Sequence, residues 1–139
     1  MATINVERND MIRRAVLQRP DELVGGTVHL WDRLASELIS IIGENGFASL
    51  FARSVHVTRN RYPWIDSANP LQKSDARFSS LQLSLEGRDF TEASEASILL
   101  LTTLVDIITL LIGELLMTRI LCSAWGNTTL ETAGKEQQQ

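Results

Sequence analysis

From Thr91 to Ala124 the chain reads as one long helix that is apolar almost all the way round. Between Ile98 and Met117 only Asp106 and Glu114 interrupt a run of Leu, Ile, Val, Thr, Met and Gly. A helix with so little polar surface has to be covered on most sides. It belongs at the centre of a helical bundle, at a subunit interface or across a membrane. The two carboxylates argue against a membrane span, because each costs a few kcal/mol in lipid. Glu86, Asp89, Glu92 and Glu95 also crowd the end where an anchoring Lys/Arg cluster is expected.

On a helical wheel Glu95, Thr102, Asp106, Thr109 and Gly113 form one narrow stripe, with Leu100, Leu104, Ile107, Leu111 and Leu115 opposite. Leu101, Val105, Ile108, Ile112 and Leu116 widen the apolar arc beyond what one bundle interior requires. This width points to self-association as a symmetric homodimer, with Leu104, Ile108, Leu111 and Leu115 as the candidate interface.

The rest of the chain fits an all-α, four-helix-bundle-like domain with one additional short helix. Its 139 residues, 44% hydrophobic and 22% charged, are ordinary for one globular domain, assigned here to 1–126 with a disordered polar tail at 127–139. The net charge of −4 speaks against nucleic-acid binding, which needs a surplus of cations facing phosphates. Cys122 stands alone, so there is no intramolecular disulfide or Cys-rich zinc site, and a reducing cytoplasm is expected. The first ten residues lack the basic-then-apolar order of a signal peptide, in keeping with that location.

Periodicity places a first helix at 7–18, ended by Arg19-Pro20, and a break at Gly25-Gly26. Thr27 is the expected N-cap of a second helix to Gly43, with Leu30, Trp31, Leu34, Leu38, Ile41 and Ile42 on its apolar face. The turn Gly43-Glu44-Asn45-Gly46 returns the chain antiparallel into a third helix, 47–61. Residues 66–75 form the longest and most flexible loop, and 77–85 a short helix. Thr91 with Ser94 or Glu95 reads as a capping box for the final helix, and Gly126 as its left-handed C-cap. No internal repeat is evident.

Catalytic signatures are absent. Asp106 and Glu114 are two turns apart and diverge on the wheel, and no histidine follows His56, so a paired carboxylate–histidine metal centre lacks its ligands. Glu114 is expected to pair with Thr118 or Arg119, and Asp106 to be solvated or interfacial. No cofactor or metal is expected. Gly25-Gly26 lacks the preceding strand and the rest of a phosphate-binding loop, and no nucleophile elbow is present.

One constellation has chemical promise. Arg53, His56, Arg59 and Asn60 share a helix face at spacings of three and four. A neutral imidazole can attack phosphorus while a guanidinium steadies the charge that develops. The same face could dock an acidic site on a partner protein, or be a solvated basic surface. His56 followed by Arg59 resembles histidine phosphotransfer domains, four-helix bundles in which an exposed His precedes Lys or Arg by three residues. Asn60 and Arg61 stand where that family has glycine and a small residue. The segments from Leu50 through Trp64 and from Leu111 through Trp125 also resemble small bacterial helical proteins of two-component signalling settings. The resemblance implies a receiver-domain or kinase protein as partner. The expected function is therefore a non-enzymatic regulatory or adaptor bundle of bacterial signalling. The alternative is a phosphotransfer protein with His56 as phospho-acceptor.

Overall fold

Two glycines set the architecture. The computed structural model describes residues 2–18, 20–65 and 78–126, all-α as expected. The helices are α1 (Ala2–Leu17), α2 (Leu23–Thr58), α3 (Ser79–Glu86), α4 (Phe90–Ile112) and α5 (Glu114–Trp125), with a 3-10 turn at Pro20–Glu22. The expected loop at 66–75 and tail at 127–139 lie outside the described residues.

Within α2, Gly43 has φ 83° and ψ 165°, a conformation essentially open to glycine alone. It divides the helix into limbs 23–42 and 44–58. The Trp31 and Phe51 ring centroids, on opposite limbs, are 5.0 Å apart. Twenty residues of unbroken helix would separate them by about 30 Å, so the limbs lie antiparallel. This agrees with the return expected from the sequence.

The long C-terminal helix, expected to be continuous, is broken in the same way. Gly113 has φ 96° and ψ 159° and separates α4 from α5. Trp125 Nε1 donates to the Leu30 carbonyl at 3.0 Å, and Ser123 Oγ donates to Glu37 at 3.1 Å. These contacts run α5 antiparallel to the first limb of α2. Tyr62, just past the second limb, donates its hydroxyl to Glu95 at 3.2 Å. The start of α4 and the end of α5 therefore lie at one end of the bundle, and the two glycine corners lie together at the other.

The two hairpins repeat one pattern. Leu23, Thr27, Leu30, Trp31, Leu34, Ala35 and Leu38 are buried in the first limb, as are Phe47, Phe51, Ser54 and Val55 in the second. For each of these the residue seventy places on is buried too, from Ala93, Ser97 and Leu100 through Ile108 to Met117, Leu121, Ala124 and Trp125, while buried Ala48 corresponds to half-buried Thr118. The corners share the tripeptide Ile-Gly-Glu, at 42–44 and 112–114. Each hairpin also follows a leading helix: α1 packs on α4 and α5 as well as α2, and α3 packs on α2. The chain thus folds as two helical hairpins with closely matching burial patterns, a correspondence that the sequence reading did not find. The buried hydroxyls of Thr27 and Ser97, equivalent positions in the two halves, both lack a hydrogen-bond partner.

Trp31, Phe47, Phe51 and Phe78 form the aromatic centre, with Phe78 anchoring α3 at 5.6 Å from Trp31. α4 is long and apolar enough to cross a membrane, yet Leu100, Leu101, Leu104, Val105 and Ile108 fill the bundle interior, which accounts for much of its hydropathy.

Local details also depart from expectation. Gly25 and Gly26 do not break the chain but lie inside α2, and Thr27 is buried in the helix instead of capping it. α4 is capped by Asp89, whose carboxylate accepts from the Glu92 backbone N–H at 2.8 Å, not by Thr91. Gly126 keeps right-handed helical angles. Asp106 is half exposed, as expected of a solvated residue, but it is also paired, and Glu114 is bonded to Arg8 where Thr118 or Arg119 was expected. The buried guanidinium of Arg8 binds both, reaching Asp106 at 2.6 Å and Glu114 on its other nitrogen. Burial works against the Arg8 charge, but the bonds to Glu114 and Asp106 outweigh it and hold its pKa above the ordinary value. Arg8 ties α1 across the Gly113 corner.

Candidate functional site

The second limb of α2 buries Phe51, Ser54, Val55 and Thr58 and turns the opposite face outward. Arg53, His56, Arg59 and Asn60 all lie on this exposed face, as the helical spacing requires. Neither arginine nor His56 makes an ion pair with a carboxylate among the described residues. The helix ends at Thr58, where Arg59 donates its backbone N–H to Val55 at 2.9 Å, and the turn carries Arg61 and Tyr62 onto the neighbouring side of the bundle.

There the turn borders a groove of about 580 Å³ between α1, α4 and the end of α2. Arg13 and Arg61 flank it, Ile98 and Leu99 give it an apolar floor, and Thr102 and Asn9 add neutral polar groups. Glu95 and Tyr62 lie in the groove and hold each other through the 3.2 Å hydrogen bond. Burial and that bond to Glu95 push the Tyr62 hydroxyl above its usual range, while nearby Arg61 pulls the other way. Asp10, on the rim, is already occupied by Arg14 one turn on, with Nε at 2.8 Å. Arg13 makes no ion pair among the described residues.

The arrangement presents cations from two elements around an amphipathic groove. It suits recognition of an acidic group attached to an apolar body, since guanidinium forks bind carboxylate and phosphate oxygens in pairs. His56 is exposed between Arg53 and Arg59 with Asn60 beside them, so the four residues the sequence grouped are grouped in space. Arg13, Arg61, Tyr62 and Glu95 were not singled out beforehand. They lie on different elements, and only the fold brings them together.

The candidate interface divides. Leu104 and Ile108 are buried inside the bundle and cannot line a surface, because their side of α4 faces α2. Leu111 and Leu115 are 65% and 73% exposed, next to Leu110 at 87% and Leu116 at 41%. No known family model, characterised protein or solved structure matches the chain.

Proposed function

We propose that this protein is a non-enzymatic helical adaptor, of the kind used in bacterial signalling, that docks an acidic surface of a partner protein. The observation that carries this reading is the exposed face of Arg53, His56 and Arg59, continued by Arg61 and Arg13 at the groove, on a chain whose net charge is −4. An acidic protein neutralises its stray cations most easily by pairing them internally. Here, among the described residues, the arginines make no ion pair with a carboxylate and span two adjoining sides of the bundle, where they can steer an acidic partner and fix its register. The partner class that the sequence resemblance implies is a receiver-domain or kinase protein.

Photo-crosslinking tests the docking. A crosslinker placed at Ser49, beside the cationic face, should capture a discrete acidic protein in cells. The same group at His29, exposed on the first limb, should not. Arg59→Glu should abolish capture at Ser49 without changing the fold. Capture that survives Arg59→Glu, or that is equal at His29, contradicts the reading.

A second reading, His56 as phospho-acceptor, is favoured by its exposure between two guanidiniums. His56→Gln separates the two. It should leave docking nearly intact, whereas a phosphotransfer protein would lose acid-labile phosphate.

A further inference from the structure

The two glycine corners are an internal control. They share their backbone conformation and their exposure: Ser40, Ile41 and Asn45 are exposed around Gly43, as Leu110, Leu111 and Leu115 are around Gly113. Gly46 is equivalent to Leu116. The first corner shows that this turn needs no leucine outside it. Yet the second carries four, at 87%, 65%, 73% and 41% exposure, with Ile41 of the first corner at the same end of the bundle. The hairpin turn does not require them, so they are open to another use.

We propose that the Gly113 corner is the contact by which two copies of this chain pair about a twofold axis. Four leucines open to this degree present an apolar patch on the order of 500 Å², the size at which patches on single chains are already often functional. Doubled across a twofold axis, this reaches the roughly 1,000 Å² at which specific interfaces begin.

The charges fit a self-complementary contact. The Arg8 clasp holds two carboxylates with one guanidinium and so keeps a net negative charge, with Asp106 still half exposed on α4. Asp106 lies one turn before Leu110 on the same face. On α5, Arg119 lies one turn after Leu115, is exposed and makes no ion pair among the described residues. The corner thus has an acidic flank on α4 and a basic flank on α5, level across the hairpin, and a twofold axis that sets α4 of one copy beside α5 of the other brings each Arg119 to the partner's Asp106. Glu44 and Glu114 beside the tip make an anionic membrane surface a poor alternative.

Sedimentation equilibrium over a concentration series tests this with the full chain. Wild type should fit a monomer–dimer equilibrium. Leu110→Ser with Leu115→Asn, which installs the side chains of the first corner, should weaken dimerisation at least a hundredfold. Arg119→Glu, a surface change that leaves the leucines in place, should weaken it about tenfold. That second variant decides the matter if the first does not fold, as judged by circular dichroism. A wild type that stays monomeric throughout, or variants that dimerise as tightly as wild type, would overturn the proposal. So would a monomer that binds uncharged phosphatidylcholine vesicles through these leucines.

Discussion

The corners at Gly43 and Gly113 share a backbone conformation and the tripeptide Ile-Gly-Glu but differ in the side chains around them. Around the first, Ser40, Asn45 and Gly46 carry polar or minimal side chains, with Ile41 half exposed beside them. Around the second, leucines fill the same positions and Arg8 reaches in to hold Asp106 and Glu114. What the corners share is what the hairpin fold demands: a glycine with φ near +90° and an apolar row on each limb. What they do not share is available for other work, and it is concentrated at the second.

The comparison can be broken by substitutions that ought to match. Leu38 and Ile108 are equivalent and fully buried, so Leu38→Ala and Ile108→Ala should each cost about 3 kcal/mol in urea unfolding. A large difference between them would deny that the hairpins are structurally equivalent. Gly43→Ala and Gly113→Ala should each cost about 2 kcal/mol from backbone strain, since no neighbour lies within 4 Å to add a clash. A cost-free change at either corner would mean that its positive φ is not needed.

Other substitutions should distinguish the halves. Arg8→Met should cost about 1–2 kcal/mol, less than a fully buried pair because Asp106 and Glu114 remain partly solvated. That loss should shrink in a Gly113→Ala background, where the clasp is already strained, and add fully to Gly43→Ala. A double-mutant cycle with no such coupling would sever the link between Arg8 and the second corner. The smallest effect should be a gain. Thr27→Val and Ser97→Ala each remove a buried hydroxyl without a partner and should stabilise the chain by about 1 kcal/mol in thermal melts.

Much of this fold is legible in the sequence, because helical periodicity reports which face is buried. The apolar faces around Trp31, Phe51 and Leu104 are where the spacing put them. Gly43 reads as a turn because Glu44, Asn45 and Gly46 follow it. Gly113 does not, because Leu115, Leu116 and Met117 disguise the same break as uninterrupted helix. Hydropathy cannot register a positive φ. The recurrence of Ile-Gly-Glu seventy residues on was the available signal. Gly25-Gly26 taught the opposite error: glycine permits a break without forcing one, and Leu23, Thr27 and Leu30 pack well enough to carry the helix through. The exposed face of Arg53, His56 and Arg59 follows from helical spacing alone. The Arg8 clasp and the Arg13–Arg61 groove do not, since their partners are distant in the chain.

The most direct test of the two-hairpin account is a pair of electron–electron distances between spin labels, in a Cys122→Ser background and with excess unlabelled chain. One pair sits at Glu95 and Ser123, the other at their equivalents Gly25 and Arg53. The account predicts matching distances of about 20 Å, since each pair spans antiparallel limbs packed side by side. A distance near 40 Å between Glu95 and Ser123, as one continuous helix requires, would contradict it.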